Sequence, residues 1–143
     1  LTDWWTEADG KEFEKRASCL ADEYSGFTVA GDTHLNGRLT LGENTADNGG
    51  VRIALMALED TLKTPPEAPR DGFTPEQRFF LGWGQIWCES VTDQNAKLRA
   101  QTDPHSPGRY RVNGVVSNMP EFQKAFACKA NAPMVRASAC RVW

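Results

Sequence analysis

The sequence predicts a single, mainly helical domain with long loops and little strand. Apolar residues recur at intervals of three and four residues in several segments, and segments rich in glycine and proline separate them. The chain has 143 residues, 40% of them hydrophobic and 24% charged, which is typical of a globular domain with a buried core.

Charge and hydropathy argue against two classes of protein. The net charge is -3 and there is no run of basic residues, so we expect no nucleic-acid partner. No apolar stretch approaches the roughly 18 residues that cross a membrane, so we expect no membrane contact from this segment. The chain starts at Leu1 rather than Met and shows no secretory leader, which predicts a mature or excised piece of a longer protein.

The first predicted helix runs from Trp4 to Tyr24. Thr6 and Asp9, three residues apart, resemble a weak capping box near its start. Turn residues dominate the region from Gly26 to Thr40, and Arg38–Leu41 is predicted to be a short strand or extended segment. The apolar positions of this first helix are Phe13, Ala17, Leu20 and Tyr24.

A second helix is predicted from about Glu43 to Leu62, before a proline pair at 65–66 that cannot continue it. Residues 64–72 contain three prolines and are expected to form a surface loop. A capping threonine, a proline and a glutamine at 74, 75 and 77 then predict the start of a third helix. Its face is almost wholly apolar and is expected to be well buried; it consists of Phe79, Phe80, Trp83, Ile86 and Trp87.

The last third of the chain is predicted to hold little regular structure. Residues Gln101–Val116 are rich in proline and glycine and are predicted to form a loop. A short helix is expected over Pro120–Ala127, followed by an irregular tail from Cys128 to Trp143. The four cysteines form no CxxC pair, which argues against a zinc knuckle and leaves both free thiols and disulfides open.

Two carboxylates, Glu43 and Asp47, lie four residues apart at the start of the second predicted helix, and this spacing places them on one helix face. They could simply favour the positive end of the helix dipole, worth about 0.3–1 kcal/mol each. Alternatively, one could be a zinc ligand and the other its hydrogen-bonding partner. The chain has only two histidines, His34 and His105, and no HExxH motif, so a catalytic zinc would need ligands from outside it. An independent metal site built from Glu43, His34 and His105 lacks ligand spacing.

Motifs along the whole chain carry a resemblance. Besides GRLTLGENTADNGG at 37–50, they are DWWT at 3–6, RASCLADEY at 16–24, IWCES at 86–90, DPHSPGRYRVNG at 103–114, SNMPEFQKAFACK at 117–129 and the terminal CRVW. In order and spacing this set resembles the C-terminal third of the neprilysin and endothelin-converting enzyme family of zinc metalloendopeptidases, although Thr45 stands where that family usually has an aliphatic residue. The resemblance implies that residues 1–143 are the C-terminal portion of a thermolysin-like (gluzincin) catalytic domain that lacks the HExxH helix.

The resemblance also implies roles for individual residues. Glu43 is similar to the family's third ligand of a single Zn²⁺, whose two histidine ligands would come from outside this chain. Asp47 matches the carboxylate that orients a zinc-bound histidine. His105 matches a histidine that donates to the oxyanion of the tetrahedral intermediate, and Arg111 matches an arginine that binds a substrate carbonyl. The pocket for the side chain after the scissile bond would be lined by Ile86 and Trp87.

On this interpretation the chain contributes to an enzyme that cleaves oligopeptides; the alternative is a non-catalytic fragment that binds a peptide or partner and is inactive without the N-terminal part. The resemblance pairs Cys19 with Cys140 in a disulfide and implies that Cys88 and Cys128 bond to the N-terminal part of the same enzyme. A bridge across more than 100 residues is worth roughly 5 kcal/mol in the chain-entropy model. Disulfides predict a secreted or periplasmic protein, or one on the extracellular face of a membrane.

Overall fold

A computed structural model of the chain describes residues 4–62 and 68–143, and over these ranges the prediction of a mainly helical fold is confirmed. The helices are α1 (Glu7–Ser25), α2 (Leu41–Thr61), α3 (Pro75–Ile86), α4 (Asp93–Thr102), α5 (Gly108–Ser117) and α6 (Pro120–Ala125). Two short antiparallel strands, β1 (Thr28–Ala30) and β2 (Thr33–His34), pair between α1 and α2. The tail after α6 contains no helix or strand, as predicted.

Helix starts follow the capping residues in the sequence. The Thr6 side chain accepts a hydrogen bond from the backbone N–H of Asp9 at the start of α1. At α3 the capping box is complete, because Thr74 accepts from the N–H of Gln77 while the Gln77 side chain accepts from the N–H of Thr74. Thr92 caps α4 in the same way, by accepting from the N–H of Asn95.

The predicted strand over Arg38–Leu41 is wrong, because residues 37–40 form a turn that leads into α2. The Asn36 side chain accepts a hydrogen bond from the N–H of Leu39, and the backbone carbonyl of Asn36 accepts one from the N–H of Thr40. These local bonds close a turn in place of a strand ladder. The proline-rich loop predicted over 64–72 lies outside the described residues from 64 to 67, as does Asp3 of the DWWT segment.

The predicted loop over Gln101–Val116 is also wrong, since α4 and α5 occupy most of it and only residues 103–107 join them. Two of its glycines mark close packing rather than turns. A Cβ on Gly114 would lie 2.5 Å from the Tyr24 hydroxyl oxygen, and one on Gly108 would collide with the carbonyl oxygen of Trp87. The glycines therefore let α5 approach its neighbours inside the fold.

Two apolar clusters form the core, and α5 contributes to both. The first joins α1 to the C-terminal tail and contains Leu20, Tyr24, Leu35, Ala100, Tyr110, Cys140 and Val142. The second joins α2, α3 and α5 and contains Val51, Leu55, Phe80, Val115, Val116 and Met119. Since α5 supplies Tyr110 to one cluster and two valines to the other, its position relative to α1 and α2 is fixed on two sides.

The structure contains the disulfide between Cys19 and Cys140, 121 positions apart, that the resemblance implies. It fastens the C-terminal tail to α1 beside the first apolar cluster. Within the described residues, no helix is long and apolar enough to cross a membrane.

The burial predicted for the apolar face of α3 is wrong for most of that face. Phe80 is buried, whereas Ile86 is 68% exposed and Phe79, Trp83 and Trp87 are half-buried. Together with residues of α5 and α6, Phe80 and Leu81 line an open apolar groove instead of a closed core. The pattern of apolar residues shows which face of a helix avoids water, but not whether a neighbour covers it.

Neighbouring glycines in α2 offer a test of how the C-terminal residue packs. Gly49→Ala is expected to destabilise the protein by about 1–3 kcal/mol relative to Gly50→Ala, because its Cβ would lie 2.6 Å from Cδ1 of Trp143. Gly50 has open space around it, so its substitution should stabilise the helix by about 0.5–1 kcal/mol. Urea unfolding midpoints of the two variants measure the difference, and equal midpoints would show that Trp143 does not hold α2.

Candidate active site

The first two turns of α2 carry the carboxylate pair that the sequence singles out. Glu43 and Asp47 point to the same side of the helix, where the Arg111 side chain of α5 donates hydrogen bonds to both of them. Arg111 NH2 lies 3.2 Å from Glu43 Oε2 and 2.7 Å from Asp47 Oδ1, and Arg111 Nε lies 2.6 Å from Asp47 Oδ2. The expectation of one shared face is therefore confirmed.

The pair between Arg111 and Asp47 is bidentate and nearly shielded from solvent. The side chains of Arg111 and Asp47 are 11% and 9% exposed. Two parallel N–H donors of a guanidinium match the two oxygens of a carboxylate, which gives both strength and a fixed orientation. The hydrogen bond to Asp47 raises the pKa of Arg111 above its ordinary value, so the cation persists despite its burial.

Trp87 packs against the guanidinium group of Arg111. The guanidinium carbon lies 3.9 Å from the centroid of the Trp87 ring, a cation–π contact that covers one face of the cation. From α3, Trp83 Nε1 donates to the Arg111 carbonyl oxygen at 3.1 Å and ties α3 to α5. The indole N–H of Trp87 is buried and has no hydrogen-bond acceptor among the described residues.

His105 approaches the same carboxylates from the loop between α4 and α5. Its Nε2 lies 3.5 Å from Glu43 Oε2, and its Nδ1 lies 2.8 Å from Asp103 Oδ1. Asp103 also accepts from the backbone N–H of His105 at 2.9 Å. That backbone hydrogen bond, aided by the His105 side chain and by Arg99, lowers the pKa of Asp103 to about 2. Asp103 is therefore an ionised acceptor that orients the imidazole.

A buried chain of polar side chains connects the His105 loop to the start of α2. Ser106 Oγ donates to Asn44 Oδ1 at 2.8 Å, and Asn44 Nδ2 donates to Thr40 Oγ1 at 2.9 Å. Ser106, Asn44 and Thr40 are all fully buried. Satisfied polar groups in a core impose one arrangement, since any shift would leave a buried donor or acceptor unpaired. This chain therefore restrains the distance between Glu43, which is next to Asn44, and His105, which is next to Ser106.

The structure brings four of the predicted site residues together and adds partners that sequence reasoning missed. Glu43, Asp47, His105 and Arg111 form one connected cluster, with Trp87 stacked on it. Ile86 belongs to the adjacent end of α3 but projects into solvent. The missed residues are Asp103, Asn44 and Ser106, which each lie one or two positions from a predicted site residue. The short spacing Asp-x-His was the available signal for the first of them.

The cluster does not amount to a complete metal site. No group of three or more His, Cys, Asp or Glu side chains able to hold a metal occurs within residues 4–62 and 68–143. His34 pairs with Thr28 in the small sheet, so the structure gives no support to a site that combines it with Glu43 and His105. The half-exposed Glu43 carboxylate could supply one oxygen ligand to a metal whose remaining ligands come from elsewhere.

Comparison with known proteins shows which family the whole chain resembles. The model of peptidase family M13 matches residues 1–142. An endothelin-converting enzyme homolog from Locusta migratoria is 42% identical over 146 residues, which cover all of this chain and 20% of the locust protein. Human neprilysin is 39% identical over 148 residues, with the same coverage of each chain. The chain spans about a fifth of the length of these curated relatives.

Solved structures show the same fold. The Mycobacterium tuberculosis zinc metalloprotease ZMP1, in an open state, matches all of this chain with a TM-score of 0.92 and 38% identity, over 23% of its own length. PEPO from Lactobacillus rhamnosis matches 95% of the chain with a TM-score of 0.80 and 32% identity, over 20% of its length. The mainly helical architecture is therefore shared with a solved zinc metalloprotease.

The lowered pKa of Asp103 predicts a specific sensitivity to acid. Because its folded pKa of about 2 is below the ordinary value of 3.8, the ionised carboxylate stabilises the fold above pH 3.8, and this contribution is lost as the pH falls towards 2. Asp103→Asn should flatten the dependence of the unfolding free energy on pH between about pH 5 and pH 2, measured by urea unfolding. The control is Asp22→Asn, at an exposed position of α1. Identical slopes for wild type and Asp103→Asn would contradict the assignment.

Proposed function

The chain belongs to peptidase family M13, and from this we propose that it is the C-terminal part of the catalytic domain of a zinc-dependent endopeptidase that hydrolyses oligopeptides. The observation that carries the proposal is the convergence on one Glu43 oxygen. His105 Nε2 and Arg111 NH2 lie 3.5 Å and 3.2 Å from that oxygen, although the three residues come from a helix, a loop and a second helix. One carboxylate thus lies beside two groups that can donate hydrogen bonds, a set that could hold a metal and stabilise the oxyanion of peptide hydrolysis.

Glu43 would hold the zinc through a carboxylate oxygen, with two histidines supplied by a segment outside this chain. When bound, the zinc would polarise the scissile carbonyl and lower the pKa of a water molecule. The donor chemistry fits, since zinc accepts a carboxylate oxygen and a catalytic site needs three protein ligands in all. Asp47, one helical turn away, would orient one of those histidines, and Arg111 already fixes the direction of its carboxylate.

His105 would donate a hydrogen bond to the oxyanion that forms as the peptide carbonyl becomes tetrahedral. Its Nδ1 is engaged by Asp103, which leaves Nε2 directed at the site. In the doubly protonated imidazole both nitrogens are donors, so Nδ1 can stay on Asp103 while Nε2 serves the oxyanion. A donor held in place before the reaction needs no reorganisation when the charge develops.

Arg111, Trp87 and Ile86 would receive the substrate. Arg111 would bind a backbone carbonyl of the peptide, and its pairing with Asp47 keeps the guanidinium from moving away. Trp87 and the exposed Ile86 would line the pocket for the side chain that follows the scissile bond. The apolar character of both residues suits a large apolar side chain at that position.

The cysteines bear on partner and location. The Cys19–Cys140 disulfide suits an oxidising compartment, which supports a secreted or periplasmic protein or one on the extracellular face of a membrane. Cys88 is an exposed free thiol and Cys128 a half-buried one. We assign both to disulfides with the N-terminal part of the same enzyme, the partner that would also bring the zinc-binding histidines.

The test of the proposed function uses the complete protein, the chain alone and Glu43→Ala in the complete protein. Glu43→Ala is expected to abolish zinc retention at neutral pH together with hydrolysis of a quenched peptide, because two ligands hold zinc far less tightly than three. The chain alone should neither retain zinc nor cleave the peptide. Metal analysis after dialysis and fluorescence measure the two properties.

The matched control for this test is Glu59→Ala, at an exposed glutamate of the same helix, which should retain zinc and activity. If Glu43→Ala keeps its metal and most of its activity, the carboxylate only favours the positive end of the helix. Tight zinc binding by the chain alone would overturn the proposed ligand set.

His105→Ala in the complete protein should lower kcat by about 10- to 1000-fold and change KM much less, since the proposed hydrogen bond forms only in the transition state. Steady-state kinetics on the same peptide measure both constants. The control is His34→Ala, which removes the other histidine of the chain from an exposed strand position. An unchanged kcat in His105→Ala would refute the oxyanion role.

A further inference from the structure

The loop that presents His105 is fastened at its first residue. Asp103 ends the α4 helix, and its carboxylate accepts from both the backbone and the side chain of His105. The other oxygen of Asp103 lies 3.0 Å from Nε of Arg99, one turn earlier on α4. Arg99 therefore sets the direction of the carboxylate that in turn orients the imidazole.

The same loop is fastened again where α5 begins. The N-terminal residue of α5 is Gly108, and the preceding Pro107 provides no side-chain cap. Instead the Gly108 N–H donates to Glu89 Oε1 at 2.6 Å. A carboxylate at this point both satisfies an unpaired N–H group and lies at the positive end of the α5 dipole.

Glu89 contacts both Gly108 and Arg99, the residues that hold the two ends of the loop. While one of its oxygens accepts from Gly108, the other lies 3.5 Å from NH1 of Arg99. Glu89 lies in the segment between α3 and α4, two residues after Trp87, so it connects the substrate side of the site to both ends of the histidine loop. The start of α5 packs directly against the backbone at Trp87. Only glycine fits at position 108, because a Cβ there would clash with the Trp87 carbonyl.

We propose that Glu89 is a positioning residue for His105, holding Gly108 directly and Asp103 through Arg99. Between these two points Ser106 is bound to Asn44 on α2, so the loop that carries the imidazole is held at three places. Without Glu89 the Gly108 N–H would lose its acceptor, and Arg99 would keep only its contact with Asp103. The imidazole would then shift away from the oxyanion position, and a displacement of about 1 Å is enough to slow a reaction substantially. This inference rests on the proposed function, in which His105 stabilises the oxyanion.

The experiment is a double-mutant cycle in the complete protein between Glu89 and His105. Glu89→Ala alone should lower kcat about 10-fold while KM and the zinc content stay unchanged. In a His105→Ala background, Glu89→Ala should cause no further loss, because its effect passes through the imidazole. Glu89→Gln, whose amide oxygen can still accept from Gly108, should lose less than Glu89→Ala. Amide hydrogen exchange over residues 103–110 should be faster in Glu89→Ala, with α1 and α2 unaffected.

The matched control is Glu121→Ala. Glu121 is 36% exposed and paired with Arg52, and Glu89 is 36% exposed and paired with Arg99, so the two variants remove equivalent ion pairs. Glu121→Ala should leave kcat unchanged. An equal loss from Glu89→Ala in both backgrounds, or an unchanged kcat in the wild-type background, would overturn the positioning role alone. If Glu89→Ala does not fold, the same cycle with Glu89→Gln decides in the same way.

The proposed function and the positioning role fail in different ways. If His105→Ala leaves kcat unchanged, the oxyanion role is refuted and the inference about Glu89 falls with it. If His105→Ala lowers kcat but the cycle shows no coupling, the oxyanion role stands and only Glu89 loses its assignment.

Discussion

The arrangement of the site depends on one partly buried cation, Arg111, held between two carboxylates of another helix. Glu43 and Asp47 lie one helical turn apart, and two negative charges at that spacing repel one another unless a cation lies between them. Arg111 supplies that cation from α5, which both apolar clusters fix in place. Removing one partner would leave the other charge without compensation, which is most costly on the shielded Asp47 side of the cluster. Core packing and the electrostatics of the site are therefore inseparable in this fold.

The fold was predictable from sequence where its causes are local. Thr6 and Thr74 set the starts of α1 and α3 through hydrogen bonds that span three residues, and the sequence shows them directly. The errors over α3 and α5 have causes that are distant along the chain, whereas the wrong strand over Arg38–Leu41 reflects a local turn closed by Asn36. Gly108 and Gly114 read as turn residues, yet they serve close contacts with Trp87 and Tyr24, which no local pattern reveals. The exposure of α3 could not be predicted either, because it depends on what lies beside the helix rather than on its own periodicity.

The site divides in the same way. Helical spacing predicts that Glu43 and Asp47 share a face, and the short spacing between Asp103 and His105 allows them to bond. That Arg111, 64 residues after Asp47, pairs with it could not be read from spacing. The resemblance to zinc endopeptidases named Arg111 as a substrate ligand, whereas the structure shows it first as the partner of both carboxylates. A resemblance transfers the chemistry of a residue more readily than the contacts that keep it in place.

The disulfide between Cys19 and Cys140 gives the chain the connectivity of a ring. The ring runs from Cys19 to Cys140 and includes every residue of the candidate site. A single cut by another protease inside this ring would leave the two pieces covalently joined, and the apolar clusters would hold them in register. In compartments rich in proteases, such a nicked molecule keeps its parts together for as long as the sulfur–sulfur bond remains oxidised.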